Sequence, residues 1–207
     1  MAKINSLIRI ILVLSAGIAM ASCTKWNYHD GGTAYGVHDC SMWDYFAKQP
    51  RDWDSTRLMI QRAGLQELFE GKGEYGQITF LAPGNLAIMT YLYDNGYRRV
   101  NEIPAAECRR LLEKLIIPGR IMVNDVPRGS RSTATGEQTG GKTYTLLDES
   151  TAFLWTYQNS YMGIENAGAV HLYLYIREFT ESWMIYSSDI QTENGVVQAL
   201  GNNFLFN

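Results

Sequence analysis

The two parts of this chain follow different hydrophobic periods, and that difference constrains its fold more than any other feature. In the first part, apolar residues recur at the spacing of helix faces, as in the segment 55–63. In the last third, β-branched and aromatic residues dominate and alternate, so that Leu172, Leu174 and Ile176 share one face. Helices that cluster early and strands that cluster late predict an α+β domain rather than an alternating α/β fold.

Caps and chain-breaking residues place the helices. Ser41 predicts the start of one helix, and a second helix is expected from about Ser55 to Gly64. Asn85 is expected to cap a helix over 86–93. Pro104 predicts the first turn of a further helix, which we expect to continue through Ile116.

The predicted strands follow mostly in the second part of the chain. An exposed loop is expected over 127–142, which is rich in Gly, Ser, Thr and Arg. Asn194-Gly195 is a hairpin signal before the last strand. The strands are predicted at 77–83, 143–147, 152–157, 170–179, 183–186 and 196–200.

The N-terminus resembles a bacterial lipoprotein signal. Lys3 and Arg9 precede an apolar run that is too short to span a bilayer as a helix, and small residues stand before Cys23. This resemblance implies cleavage before Cys23 and lipidation of that cysteine. The protein is then expected in the cell envelope of a diderm bacterium, held to a membrane, most simply the outer membrane, by its lipid anchor. An ordinary signal peptide with a chance cysteine is the alternative.

These features divide the chain into a signal peptide (1–22), a glycine-interrupted flexible tether (23–40) and one domain (41–207). The full chain has 18 basic and 21 acidic side chains, so its surface is not expected to attract nucleic acid. Cys40 and Cys108 could pair in an exported protein, or remain separate buried thiols.

Five short segments, in order, resemble the fasciclin domain. The most specific is Thr79–Ile88, in which Thr79, Ala82, Pro83 and Ala87 match the family's first signature. The resemblance implies a fasciclin-like fold, with helices of the N-terminal half packed on a β-sandwich-like core. It also implies an extracellular setting and a binding or adhesion role rather than catalysis. The five segments are 64–71, 79–88, 111–119, 141–146 and 189–197.

The chain also departs from the fasciclin pattern at functionally important positions. Lys114 and Leu115 stand where the family usually has a Tyr-His pair that is linked to receptor adhesion in animals. That role does not transfer to these two residues. Gln198 replaces a usual histidine after the second signature, and Gly201 replaces a usual acidic residue.

Several motifs lack the context that their chemistry needs. Residues 136–143 match the P-loop pattern, but a β-prone stretch follows where a helix is required. Residues 71–76 match a dinucleotide fingerprint in the reverse order of elements. His29-Asp30 and His38-Asp39 could ligate zinc, but they stand in the tether with nothing to orient them. We therefore expect no enzyme activity, no cofactor and no metal.

Aromatic residues are the best candidates for ligand contact, since the chain has 5 Trp and 13 Tyr. Flat rings suit sugar faces and protein partners, although such rings also fill cores. The predicted function is a lipid-anchored binding or adhesion module that recognises a glycan, a matrix component or an envelope protein. The alternative is an accessory lipoprotein subunit of an outer-membrane nutrient-uptake complex that handles glycans. The candidate ligand-binding residues are Trp155, Tyr157, Tyr161 and Tyr175.

Overall fold

The computed structural model describes residues 36–179 and 181–206. Cys23, the signal peptide and most of the predicted tether lie outside these residues, so the lipidation and the domain boundaries stay predictions. Among the described residues, no helix is both long and apolar enough to cross a membrane. In the same part of the chain the α-helices are α1 (Met42–Lys48), α2 (Pro50–Arg62), α3 (Gln66–Phe69), α4 (Asn85–Asp94) and α5 (Ala105–Glu113).

The strands alternate little with helices, as the hydrophobic pattern predicts for an α+β fold. Short 3-10 turns at 100–102, 123–125 and 177–179 join some of the elements. The strands are β1 (Ile78–Ala82), β2 (Ile116–Pro118), β3 (Gly129–Arg131), β4 (Gln138–Gly140), β5 (Lys142–Thr145), β6 (Thr151–Gln158), β7 (Val170–Ile176), β8 (Ser182–Thr192) and β9 (Gly195–Leu200).

Seven of these strands form one sheet in the order β2-β1-β9-β8-β7-β6-β5. Only β1 and β9 pair in parallel, and the remaining neighbours are antiparallel. The two edges approach each other, because the Leu147 N–H, just after β5, donates to the Ile116 carbonyl of β2 at 2.9 Å. The expected sandwich-like core is thus a single sheet curled almost into closure, and β3 and β4 form a separate hairpin.

The helices pack on the half of the sheet around β1 and β9. Helix α2 contacts α1, α4 and α5, and α1 also contacts β9. Phe46, Phe69 and Phe80 form the centre of this core, with ring centroids 4.9 to 6.2 Å apart and all three side chains fully buried. Aromatic burial of this size is a main source of stability.

Ser41 caps α1 as predicted, since its hydroxyl accepts from the Asp44 N–H at 3.1 Å. The expectation for Asn85 is wrong, because Gly84 occupies the cap position of α4. The Asn85 amide instead accepts from the Ser55 N–H and donates to the carbonyls of Pro50 and Arg51 at 2.7 to 3.0 Å. It therefore holds α4 to the first turns of α2.

Two other boundaries differ from the expectation. Helix α5 ends at Glu113, and Ile116 belongs to strand β2, since its backbone pairs with β1. Helix α2 begins at Pro50, which suits the first helical position and lies five residues before the expected start. The loop expected over 127–142 is largely exposed, but it contains the β3–β4 hairpin.

Two buried polar side chains of this core, Asn194 and Gln198, have hydrogen-bond partners for both amide atoms. Asn194, in the β8–β9 turn, accepts from the Met42 N–H at 2.8 Å and donates to the Phe69 carbonyl at 3.0 Å. Gln198, fully buried, exchanges hydrogen bonds with Asp189 and donates to the Ile121 carbonyl at 3.1 Å. The Gln198 amide therefore has a structural role. It connects β9 to Asp189 in β8 and to Ile121, which lies just before the 3-10 turn at 123–125.

Candidate functional site

The four predicted ligand-binding aromatics lie on the β6–β7 hairpin, but they do not form one open platform. On both strands, alternate residues join the main hydrophobic core, as Leu154 and Leu174 do. The other face of the hairpin carries Trp155, Tyr157 and Tyr175. Tyr161 lies beyond the end of β6, in the connection to β7.

Trp155 is buried, which corrects the expectation that it offers an open face. Only 5% of the residue is exposed. Its ring stacks with Phe153 at 5.2 Å and with its cross-strand neighbour Tyr173 at 5.5 Å. The stacked rings stabilise the outer face of the hairpin, so Trp155 contributes packing rather than an accessible surface.

The β3–β4 hairpin explains this burial. Gly141, which follows β4, lies so close to the Phe153 ring that a Cβ there would stand 2.5 Å from Cζ. The Arg131 guanidinium lies over the Tyr175 ring at 3.6 Å from its centroid. Tyr175 is therefore half-buried under an arginine.

Gly141 also belongs to the stretch that matches the P-loop pattern. Residues 138–140 and 142–145 are strands, and no helix follows the motif, so the arrangement that holds phosphate is absent from this described segment. Gly140 and Gly141 both have φ near +60°. The motif provides close backbone approach between the hairpin and the sheet.

The exposed aromatics lie with aliphatic side chains at the far end of the β6–β7 hairpin. Tyr157 and Tyr161 are 50% and 60% exposed, and Met162 is 85% exposed. Ile164 and Val170 are also exposed. We call these five side chains the hairpin tip. Tyr161, Met162 and Ile164 stand within four residues of the connection, while Tyr157 and Val170 belong to the adjoining ends of β6 and β7. Exposed single hydrophobic residues are ordinary, but this density on one connection indicates a contact surface.

Backbone hydrogen bonds close a tight turn at residues 161–164 of the hairpin tip. Tyr161 and Ile164 exchange N–H···O bonds of 3.0 Å in both directions. The two central residues, Met162 and Gly163, have φ of 49° and 80°, the pattern of a type I′ turn. Asn or Asp is the usual residue at the first of these positions, because a side chain like methionine is strained there.

The aliphatic part of the hairpin tip was not anticipated from the sequence. The aromatic excess of the chain predicts a role for Tyr157 and Tyr161 but not for Met162 and Ile164. A usable signal exists: Met162-Gly163 stands at the centre of a hairpin connection, where polar turn residues are expected. An apolar residue at such a position indicates that its side chain serves something other than the turn.

Lys114 and Leu115 have structural roles. Leu115 is fully buried. The Lys114 ammonium pairs with Asp148 at 2.7 Å and Glu178 at 2.8 Å. Burial alone would lower the pKa of Lys114, but its hydrogen bonds to the two carboxylates outweigh that effect and raise it. Arg110, which also pairs with Glu178, extends this ion-pair network along α5.

The other candidate ligands are dispersed. The His38 ring packs against Tyr45 at 4.6 Å, and His29 lies outside the described residues. Cys40 and Cys108 are separate free thiols, and burial raises the pKa of Cys108 to about 11. Across residues 36–179 and 181–206, no three His, Cys, Asp or Glu side chains cluster as a metal site would require.

Comparison with known proteins finds similarity among solved structures. No family model matches the sequence, and no curated protein matches it. The chain is similar to a solved FAS1 domain pair from the insect cell adhesion molecule fasciclin I, with 14% identity and a TM-score of 0.41. The match covers 77% of this chain and 44% of that structure, so the chain spans less than half of its length.

Proposed function

We propose that this protein is a lipid-anchored binding module of the cell envelope, with a fasciclin-like domain that docks to another envelope protein through its hairpin tip. The observation that carries the proposal is the exposure of five apolar side chains on this connection and the adjoining ends of β6 and β7. Water contact with such a cluster is unfavourable, and a partner that covers it gains the free energy of apolar burial.

The composition of the hairpin tip favours a protein over a membrane surface or a glycan. From Asn159 to Val170, Glu165 is the only charged side chain. Lipid-binding elements commonly add Lys or Arg to attract anionic headgroups, and Arg128 is already bonded to Asn166 and Gln158. Aliphatic Met and Ile beside tyrosines suit a protein interface, where Met and aromatic residues are enriched.

The fasciclin-like part of the proposal rests on how the resembling segments fold. Residues 79–88 run from buried strand β1 through Pro83 into α4, and residues 189–197 form the β8–β9 turn. Both segments are architectural, and neither includes a residue of the β6–β7 hairpin. The proposal therefore assigns the fold to these resembling segments and the binding to the hairpin tip.

The anchor is proposed from the sequence. A Cys23→Ala variant should leave the membrane fraction and stop incorporating labelled fatty acid, because the thioether attachment point is lost. A Cys40→Ala variant is the control and should stay with membranes. Retention of Cys23→Ala in membranes together with fatty-acid labelling would contradict the anchor.

The partner is tested by photo-crosslinking in living cells. A photoreactive amino acid at Met162 should yield one discrete crosslinked species. The same amino acid at Tyr93, on α4, is the matched control, because both residues are 85% exposed. Equal crosslinking from the two positions, or none from Met162, would contradict docking through the hairpin tip. Recovery of an outer-membrane transport protein would support the narrower role of an accessory uptake subunit.

A further inference from the structure

A second surface feature, formed by other elements than the hairpin tip, has the character of a small-molecule site. A cleft of about 570 Å³ lies where the first turn of α2 meets the β1–α4 connection, the middle of β8 and the end of β9. Its volume falls within the range of ligand pockets in proteins. The rings of Tyr45 and Trp53 form its inner wall and are 8% and 6% exposed.

The exposed ring of Tyr186 lines this cleft, and two features of the backbone direct the side chain towards it. The pairing of β8 with β9 shifts register between Ile185 and Ser187, which makes Tyr186 the extra residue of a β-bulge. Bulges redirect a side chain that regular pleating would place elsewhere. The ring is 59% exposed, so burial in the core does not explain its position.

Gly201 supplies the second feature. A Cβ at this position would lie 2.8 Å from Cε1 of Tyr186 and 2.6 Å from Oδ1 of Asn203. Any other residue at position 201 would therefore push the Tyr186 ring or the Asn203 amide aside. Gly201 is buried beside this ring, and the absence of its side chain keeps the ring at the cleft.

The rim of the cleft carries polar groups of balanced charge. Arg51, Asp52 and Asn202 are exposed around it. The side chains of Arg51 and Asp52 make no hydrogen bond or ion pair with any residue that the structure describes. Opposite charges side by side favour neither an anion nor a cation, and free donors and acceptors at the rim suit hydroxyl groups.

We propose that this cleft binds one or two residues of a neutral saccharide. A pyranose ring combines an apolar C–H face with hydroxyl groups around its edge. Tyr186 stacks on the apolar face, while Arg51, Asp52 and Asn202 bond the hydroxyls. The site is independent of the proposed protein contact, because none of its residues belongs to the hairpin tip. Together the two surfaces would let one module hold a sugar and a partner protein.

The experiment titrates purified protein with neutral oligosaccharides, namely cello-, xylo-, manno- and malto-oligosaccharides of two to four residues. Binding is followed by calorimetry and by tryptophan fluorescence, to which Trp53 in the cleft wall contributes. At least one series should bind the wild-type protein. Tyr186→Ala should weaken that binding about tenfold or more, since stacking is lost, while Tyr186→Phe should retain most of it.

Gly201→Ala should weaken the same binding without removing the Tyr186 hydroxyl or ring. Tyr93→Ala and Met162→Asn are controls that should bind the saccharide as the wild type does, which separates this site from the hairpin tip. The proposal is overturned if none of the four series binds at a saccharide concentration of about 10 mM, since any Kd would then lie well above about 1 mM. It is also overturned if Tyr186→Ala binds like the wild type, or if a sulfated oligosaccharide of the same series binds more tightly than the neutral one.

Discussion

The β8–β9 turn and the β6–β7 hairpin tip both depart from the usual rule that polar side chains are exposed and apolar side chains are buried. The first buries polar side chains, and the second exposes apolar ones. Near the β8–β9 turn, the polar side chains of Asn194 and Gln198 lie inside and are fully hydrogen-bonded. At the hairpin tip, Met162 and Ile164 lie outside with nothing over them in the described chain. A paired buried polar group holds a fold together, whereas an exposed apolar cluster adds nothing to the folded state. The difference separates structural residues from functional ones.

Loss of the Asn194 amide should have the largest effect on stability. Asn194→Ala leaves the Met42 N–H at the start of α1 without its acceptor and the Leu68 and Phe69 carbonyls at the end of α3 without their donor. We expect a loss of about 2 to 4 kcal/mol in the free energy of unfolding, measured by urea denaturation. Asn101→Ala, on an exposed 3-10 turn, is the control and should change it by less than about 0.5 kcal/mol. Equal effects would show that the buried amide is dispensable.

Asn85→Ala should follow with a loss of about 1 to 3 kcal/mol, because three hydrogen bonds between α4 and α2 disappear. Asn85→Asp distinguishes this role from a simple cap. A carboxylate can accept from Ser55, but it cannot donate to Pro50 and Arg51 and would face their carbonyl oxygens. Asp should therefore also be destabilising. Wild-type stability of Asn85→Asp in urea would mean that only the acceptor matters.

The ion-pair network around Lys114 should add a pH dependence below about pH 4. Burial alone would raise the pKa of Asp148 and of Glu178, but hydrogen bonds from Lys114, with help from Ser150 and Arg110, outweigh it and leave both pKa values below their usual range. Groups with lowered folded-state pKa values stabilise above the unfolded values, and that stability is lost as pH falls through the folded ones.

Thermal unfolding between pH 7 and pH 2 checks this network. Lys114→Met should lower the melting temperature at pH 7 and flatten its decline below about pH 4, since the carboxylates then lose the cation that lowers their pKa values. The effect should be modest, because the partners are partly exposed to solvent. Parallel pH profiles for the two proteins would remove Lys114 from the account.

The sequence predicted elements better than contacts. The helix at Ser41, the strand before Pro83 and the β8–β9 hairpin were all anticipated, because caps, proline and alternation act over a few residues. The bonds of Asn85 could not be anticipated. A residue that suits a cap by its type was instead used across 35 positions of sequence, by the packing of α4 on α2.

The candidate site shows the same division. Alternation indicated that Tyr175 lies on the face opposite Leu174 and Ile176, but not that β3, β4 and Gly141 cover much of that face. The covering segment has almost no apolar residues, so its sequence predicts exposure. Tyr186 was one aromatic among many, because a β-bulge leaves no mark in the hydrophobic pattern.

Met162→Asn is expected to change stability least, and it distinguishes the hairpin tip from the β8–β9 turn most clearly. Met162 occupies a left-handed position at φ 49° where asparagine is favoured. Met162→Asn should therefore raise the free energy of unfolding by about 0.5 to 1 kcal/mol while removing the most exposed apolar group of the hairpin tip. Asn194→Ala, by contrast, should lower the free energy of unfolding, because it removes a buried polar group that the fold uses.

The central claim, that the hairpin tip serves a partner and not the fold, is tested most directly by measuring stability and partner contact in the same variant. A photoreactive amino acid at Ile164 reports the contact, with and without Met162→Asn, and urea denaturation reports the fold. The account predicts that Met162→Asn is at least as stable as the wild type and loses most of the crosslinked species. A destabilised variant, or a stable one that crosslinks as strongly as before, would contradict it.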